Sequence, residues 1–228
     1  DGTPFDWNSL TPGDDPYAGR DPRLQYSIVV NDSQWNGRTM QCYDGGADGS
    51  GVMQATTTGY YLKKFLTDGL DLEKNQTSVH SWILFRYAEI LLNYAEAMNE
   101  AYGPDTDPFG DGKTARWAVN EVRGRVGMPP VTASDETEMR NRIKHERRIE
   151  LAFEDHRFWD VRRWGKADAE SALGVPVKGV SITKTETGFT YATKIVGTRT
   201  FQEKMMLYPI PQSEILRSAG KIKQNPGW

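Results

Sequence analysis

The chain has 228 residues, a formal net charge of -3 and 26% charged residues, which is the size of one large domain or two small ones with an ordinary soluble composition. Its slight acidic excess argues against a nucleic-acid-binding protein, because neutralising phosphates requires a clustered basic surface. No apolar run approaches the roughly 20 residues that cross a bilayer, and a single cysteine, Cys42, excludes an intramolecular disulfide.

Residues 1–80 form the first predicted segment, which is rich in glycine, aspartate and proline and is therefore expected to consist of loops with short strands. The best strand candidate is 24–30, where β-branched residues lie between turn signals.

Aromatic side chains lie among polar loop residues in this first segment. Aromatic rings stack on the apolar faces of sugars, while neighbouring amide and guanidinium groups can bind sugar hydroxyls. The segment is therefore the predicted ligand-binding part of the chain. For each single ring the alternative stays open that it anchors a loop onto the helices. The candidate ligand contacts are Trp7, Tyr17, Trp35, Asn36, Arg38 and Tyr43.

Residues 81–166 predict a helical scaffold. From Trp82 to Met98, apolar side chains recur every three or four residues, which is the period of a helix. The glycine and proline that follow predict the end of this helix near Tyr102. Residues 114–126 resume the same spacing and predict a second helix.

A third helix is predicted to start at Ser134 or Asp135, because Glu138 lies at the capping-box distance, and to run into 143–165. That stretch interleaves arginines and carboxylates with large apolar side chains. Charges can lie among aromatic rings only when they are paired and hydrogen-bonded, since an unpaired buried ion is strongly destabilising. We therefore expect an ion-pair network that ties helices and loops together.

The glutamates of this stretch are the strongest catalytic candidates by spacing. Glu146, Glu150 and Glu154 stand one helical turn apart, and a carboxylate pair can hydrolyse glycosides. Arginines three or four residues away are predicted to lower their pKa, whereas a general acid needs a raised pKa. We therefore assign no catalytic residue, and expect that removing Arg148 or Glu150 destabilises the fold.

Three patterns of metal or phosphate binding are incomplete. His145 and Glu146 begin an HExxH-like motif, but Ile149 stands where the second imidazole of a zinc site is needed. Residues 112–114 resemble the end of a P-loop that lacks its first glycine. The acids of 105–111 can hold a hard cation, but the glutamate that closes an EF-hand loop is absent. We predict no cofactor and no metal, and interpret these acids as solvated.

Residues 167–228 form the last predicted segment, a flap followed by a C-terminal tail. Partial alternation of apolar and polar residues over 188–201 favours a strand pair or an irregular flap. Pro209 and Pro211 impose an extended backbone, after which Ser213 is predicted to cap a short helix.

Six ordered segments carry a family resemblance. They are DPRL at 21–24, TGYYLKKF at 58–65, RYAEILLNYAEAMNE at 86–100, VNEVRGRVGMPP at 119–130, ERRIELAFEDHRFWDVRRWG at 146–165, and LYPIPQSEI with KQNPGW near the C-terminus. Together they resemble the C-terminal region of the SusD/RagB family, the surface glycan-binding lipoproteins of Bacteroidetes. The resemblance implies a mainly α fold of TPR-like helix hairpins, with long irregular loops and a few short β-strands, in a single region over 1–228.

The resemblance also implies a function. Family members bind oligosaccharide or polysaccharide without catalysis, for import through a SusC-like TonB-dependent transporter. The expected location is the outer membrane, as a surface-exposed or periplasm-facing lipoprotein. The lipid anchor and the early helix hairpins are expected to lie outside this chain, since Cys42 is not in a lipobox. The alternatives are a TPR-like adaptor for peptides or proteins and a family member that handles a non-glycan nutrient such as peptides. None of the matching motifs contains the ligand-binding aromatics, so the six candidate contacts depend on composition alone.

Overall fold

The computed structural model describes residues 5–71 and 73–228. Its helices are α1 Arg23–Ser27, α2 Tyr87–Tyr102, α3 Ala115–Gly124, α4 Glu136–Glu150, α5 His156–Trp164, α6 Lys166–Leu173 and α7 Gln212–Arg217. Its strands are β1 Ile28–Val29, β2 Gln34–Trp35, β3 Arg38–Thr39, β4 Tyr61–Leu62, β5 Val177–Thr185 and β6 Gly188–Gly197. They form three two-stranded sheets, β1 with β4, β2 with β3 and β5 with β6. The mainly α fold with a few short strands is therefore as predicted. None of the helices in the described part of the chain has the length and apolar character of a membrane-spanning helix.

The chain divides into two compact units. The first consists of Asp1–Asp155 and Gly179–Lys194, and the second of His156–Lys178 and Ile195–Trp228. The β5–β6 hairpin thus contributes its turn to the first unit and its open end to the second.

In the first unit, α2, α3 and α4 pack around a hydrophobic cluster, here named the helical core. Its members are small or aliphatic side chains at helical spacing, chiefly Leu91, Leu92, Ala95, Met98, Ala115, Ala118, Val119, Val122, Met139 and Ile143. The start predicted at Ser134 or Asp135 is confirmed, because Asp135 accepts a hydrogen bond from the Glu138 N–H at 2.8 Å. Thr114, which was not predicted as a cap, accepts one from the Trp117 N–H at 3.0 Å. Gly103, with φ of 84°, ends α2 where the sequence predicted it.

The helix predicted from Trp82 starts later than expected. The helix α2 begins at Tyr87, and the side chains of Trp82, Leu84 and Phe85 are 75%, 74% and 76% exposed. Arg86, immediately before the helix, has an extended backbone with φ of -143°, and its guanidinium donates to Glu150 at 2.5 Å. This contact with α4 sets the helix start, so apolar spacing alone gave the wrong boundary.

The third predicted helix is not continuous. The helix α4 ends at Glu150, and Phe153 and Asp155 then adopt φ of 64° and 62°, which is unfavourable for residues other than glycine. The Lys64 ammonium donates to the carbonyl oxygens of Glu150 and Ala152 at 3.2 and 2.9 Å. A distant cation therefore satisfies carbonyl groups that the end of a helix leaves without partners.

A second cluster of the first unit, here named the loop core, joins the N-terminal loops to the β5–β6 turn. Its buried members are Val29, Met40, Cys42, Val180 and Ile182. The Val180 N–H donates to the Thr58 carbonyl at 2.8 Å, and the Asp44 N–H to the Ile182 carbonyl at 2.8 Å. Strand β5 therefore holds two separate loops in place.

The strand predicted over 24–30 is only partly present. Residues Arg23–Ser27 form α1, and the strand itself is limited to Ile28–Val29. The Asp21 carboxylate accepts the Arg23 N–H at 2.9 Å, and Pro22 has φ of -56°. An aspartate that accepts a hydrogen bond from the backbone N–H two residues later, with proline between them, starts a helical turn. This local signal outweighed the preference of the β-branched residues for a strand.

The second unit contains α5, α6, α7 and the C-terminal tail. The Arg162 guanidinium lies 3.8 Å from the Phe158 ring centroid and donates to the Met205 carbonyl at 2.5 Å. Strand β6 lies within the range 188–201, where a strand pair or an irregular flap was predicted, and it pairs with β5, which precedes that range at Val177–Thr185. Helix α6 was not predicted. Helix α7 begins at Gln212, so Ser213 lies inside the helix and does not cap it.

Candidate functional site

Glu146, Glu150 and Glu154 lie at the centre of an ion-pair network, here named the glutamate network. Glu146 and Glu150 are 1% and 3% exposed, and the Arg23 guanidinium donates to both, at 2.5 and 2.8 Å. Glu154 accepts from Lys64 and Arg86, at 2.6 Å in each case. The cations of the network are Arg23, Lys64, Arg86, Arg123 and Arg125. The predicted network is present, and it connects α4 and the turn after it to four other parts of the first unit, namely α1, the residues after β4, the start of α2 and the end of α3.

The charges of the network do not fit a general acid. Burial raises the pKa of Glu150, but hydrogen bonds from Arg23 and Arg86 outweigh it, so the pKa is lowered. The pKa of Glu154 is lowered in the same way, with burial opposed by Arg86 and Lys64. A glycosidase acid needs a shift in the other direction.

The direction of these shifts was predicted, but the cations that bind Glu150 were not. Arginines three or four residues away along the sequence were expected to pair with these glutamates, and removing Arg148 was expected to destabilise the fold. Arg148 is exposed on α4, whereas the bonded Arg23 lies 127 residues from Glu150 in sequence. Local spacing on a helix could not reveal a partner at that separation.

The acids of 105–111 are held by protein groups. Asp105 pairs with both ends of the Arg116 guanidinium at 2.6 and 2.7 Å, and Asp111 pairs with Lys113 at 2.9 Å. Asp107 accepts the N–H groups of Gly110 and Gly112 at 2.8 Å. The described residues include no group of three or more His, Cys, Asp or Glu side chains arranged to hold a metal ion.

Three of the candidate ligand contacts pack against the loop core. Trp7, Trp35 and Tyr43 are partly buried there. Trp7 lies 6.4 Å from the Tyr191 ring centroid, and Tyr43 lies 5.5 Å from that of Phe189. Their rings therefore help to attach the N-terminal loops to β6, which is the anchoring alternative that their composition left open.

Two further candidate contacts, Asn36 and Arg38, shape the β2–β3 hairpin. Asn36 and Gly37 have φ of 50° and 72°, as an Asn-Gly hairpin turn requires. The Asn36 side chain accepts the Gly69 N–H at 2.9 Å. Arg38 makes a two-point ion pair with Asp48 at 2.6 and 2.7 Å. Both side chains thus tie the hairpin to neighbouring loops, and the Asn-Gly pair was a sequence signal of the turn.

Tyr17, the sixth candidate contact, lines a cavity of about 630 Å³, here named the Tyr17 cavity. Tyr17 lies edge-on to Tyr60 and Tyr191, with centroid distances of 6.3 and 6.0 Å. Besides aromatic rings, the walls carry carboxylates, amides and two cations. The charged, amide and aromatic side chains that line the cavity with Tyr17 include Asp14, Asp15, Arg20, Gln25, Asn31, Asp32, Lys63, Phe189 and Tyr191. Of the six candidate contacts, Tyr17 alone lines this cavity.

Polar groups in the walls of the Tyr17 cavity are strongly perturbed. The Tyr17 hydroxyl and the Asn31 side-chain nitrogen are buried without a hydrogen-bond partner, and burial raises the pKa of Tyr17. Burial also raises the pKa of Tyr191, and the negative charges of Asp15 and Asp32 add to the effect, while the nearby Asn31 side chain opposes it. The cavity is therefore polar, partly desolvated and rich in acceptors.

A second cavity, also of about 630 Å³, borders the glutamate network. Its charged walls include Arg86, Glu150 and Glu154, which already bond one another. Its remaining walls are largely apolar, with Tyr26, Phe65 and Ile83 among them. It therefore offers fewer uncommitted polar groups to a ligand than the Tyr17 cavity.

Comparison with known proteins covers almost the whole chain. The model of the SusD family matches residues 2–228. SusD-like protein P2 of Formosa agariphila is 29% identical over 182 residues, which are 76% of this chain and 31% of that protein. A solved SusD-like protein from Bacteroides fragilis is 35% identical with a TM-score of 0.74, over 93% of this chain and 40% of that one. A SusD-like carbohydrate binding protein from the same species is 31% identical with a TM-score of 0.70, over 94% and 44%. The chain thus spans less than half the length of each of these relatives.

Proposed function

This chain belongs to the SusD family, as its motifs indicated, and from that membership we propose that it binds oligosaccharide or polysaccharide at the cell surface without catalysis. The observation that carries the proposal is the 31% identity, across 94% of the chain, to a solved protein described as carbohydrate binding. The bound glycan is handed to a SusC-like TonB-dependent transporter, and the protein is held at the outer membrane as a lipoprotein.

The lowered pKa values of the glutamate network support a binding role without catalysis. Glu150 and Glu154 are held as carboxylates by buried and half-buried cations, so neither can protonate a leaving group near neutral pH. Their role is to join α4 to Arg23 and Arg86. These glutamates lie in the segment 146–165, which carries part of the family resemblance, and their ion pairs fix the scaffold.

The polar, aromatic surface around the loop core supports a glycan as the ligand. Tyr17, Phe189 and Tyr191 lie close to carboxylates and amides, and this mixture suits ligands that present both apolar ring faces and hydroxyls.

Measurements of glycan binding, glycan hydrolysis and peptide binding test the proposal. A glycan array followed by calorimetric titration of the hits should give saturable binding, and prolonged incubation of the bound glycan should release no products. Peptide libraries are titrated in parallel. Saturable peptide binding with no glycan hit would favour a peptide-binding family member or an adaptor, and glycan hydrolysis by the purified protein would return the glycosidase hypothesis. Co-purification with a SusC-like TonB-dependent transporter tests the import step.

A further inference from the structure

We propose that the Tyr17 cavity is a binding site for a short, uncharged segment of a glycan. The inference rests on the proposed function and adds to it a place and a ligand class. Three features of the cavity carry it: polar groups without well-formed hydrogen bonds, a suitable size and lining, and the sign of its charges.

The first feature is a pair of buried polar atoms in the cavity walls. Asn31 is 3% exposed, and its side-chain oxygen accepts the Cys42 N–H at 2.9 Å. This bond fixes the orientation of the amide. Its nitrogen makes no well-formed hydrogen bond, although the Tyr191 hydroxyl lies near it. The Tyr17 hydroxyl makes none either, although the Tyr60 hydroxyl lies near it. Buried polar groups without well-formed hydrogen bonds are unfavourable, so both walls gain a better bond from a hydroxyl-bearing ligand after a small side-chain shift.

The second feature is the size and lining of the cavity. Its volume of about 630 Å³ lies within the range of roughly 300 to 1,000 Å³ for small-molecule sites. Aromatic rings of Tyr17, Phe189 and Tyr191 alternate along its walls with amides such as Gln25. Aromatic surface can contact the apolar face of a sugar ring while amides bind its hydroxyls.

The third feature is the sign of the charges. The carboxylates of Asp14, Asp15 and Asp32 line the cavity, against the cations of Arg20 and Lys63. Arg20 is already engaged, because its guanidinium lies 3.8 Å from the Phe5 ring centroid and its Nε donates to the Pro16 carbonyl at 3.0 Å.

Lys63 is engaged as well, since its ammonium lies 5.6 Å from the Trp35 ring centroid. Neither contact neutralises its cation, so the lining carries three negative and two positive charges. A uronic acid adds a fourth carboxylate to this net negative lining, and like charges at short range repel. A neutral sugar meets no such repulsion, so the net charge favours an uncharged segment.

Filling the cavity tests the assignment. Ala18 is exposed and lines the cavity, so Ala18→Trp adds a ring inside it without removing a packed side chain. Gln25→Trp fills the cavity from α1, on a different wall. The control is Ala101→Trp, at an exposed alanine of α2 that does not line the cavity. Each variant is titrated calorimetrically with the neutral oligosaccharide that binds best and with uronic-acid oligosaccharides, and its melting temperature is recorded.

We expect each filling variant that melts like the wild type to weaken neutral oligosaccharide binding by at least about tenfold, a loss of about 1.4 kcal/mol, while the control binds normally. Unchanged affinity in a folded filling variant overturns the cavity assignment and leaves glycan binding by the protein intact. Cavity-dependent binding of a uronic-acid oligosaccharide overturns the ligand class. A wild-type protein that binds no glycan at all overturns the proposed function itself, and the cavity assignment with it.

Discussion

Removing the Glu150 carboxylate should be among the most destabilising single substitutions in the chain. Glu150 is 3% exposed and accepts hydrogen bonds from Arg23 at 2.8 Å, Arg86 at 2.5 Å and Arg125 at 2.7 Å. The change Glu150→Ala takes one acceptor from three cations at once. Glu150→Gln keeps the volume, removes the charge and replaces one acceptor oxygen by an NH2 donor.

The magnitude follows from what remains around the cations. Arg23 is 6% exposed and keeps Asp21 and Glu146 as partners, so its charge is only partly uncompensated. Arg125 has a side chain that is 57% exposed and can turn to water. Breaking a buried ion pair costs about 3–5 kcal/mol, and with these two compensations we expect Glu150→Ala to lose about 3 kcal/mol.

Urea unfolding at pH 7 measures the loss, by linear extrapolation of the free energy of unfolding. The control is Arg148→Ala, an exposed change on the same helix that should stay within about 0.5 kcal/mol of the wild type. Glycan affinity is measured on the folded variants and should not change, because the network does not line the Tyr17 cavity. A loss below about 1 kcal/mol for Glu150→Ala, or an equal loss for Arg148→Ala, would refute the reasoning that the buried network holds the scaffold.

Two further predictions concern stability. Gly49→Ala should lower the free energy of unfolding by about 1–3 kcal/mol, because an added methyl group would lie 2.2 Å from the Tyr43 carbonyl oxygen. The matched Gly124→Ala has open space around it and should raise the free energy of unfolding by up to about 1 kcal/mol. Urea midpoints that order the two variants the other way would contradict this. The pKa values of Glu150 and Glu154 are lowered from their ordinary value of 4.5, so their contribution to stability is complete above that value and is lost as the pH falls from it through the lower pKa values of the folded state. Urea midpoints measured from pH 7 to pH 3 should therefore fall less steeply for Glu150→Gln than for the wild type, and parallel curves would speak against the ion pairs as the cause.

Helix ends encoded by neighbouring residues were predictable from the sequence. The caps at Thr114 and Asp135 and the stop at Gly103 each depend on side chains or backbone within four residues. The apolar spacing of α2 and α3 likewise predicted the helical core. In these places local propensity and tertiary packing favour the same structure, and the prediction holds.

Features that depend on distant partners were not predictable. The start of α2 depends on Arg86 reaching Glu150, and the end of α4 depends on Lys64 reaching the carbonyls of Glu150 and Ala152. No periodicity in one sequence connects residues so far apart. The arginine-rich stretch indicated that an ion network exists, but not which cations complete it.

The candidate site shows the same division between local and distant information. Composition selected Trp7, Trp35 and Tyr43, and the structure places all three against the loop core, because a loop-rich region with few aliphatic residues needs large rings to bury enough apolar surface. Tyr191 and Phe189, on a strand far along the chain, also pack against the loop core, and they line the Tyr17 cavity as well. Packing against aliphatic side chains therefore does not by itself separate the rings that hold the loops from those that line the cavity. Trp7, Trp35 and Tyr43 pack against the loop core without lining the cavity, whereas Tyr17 and Tyr191 line it together with Asn31, and only these tertiary contacts distinguish the two sets of rings.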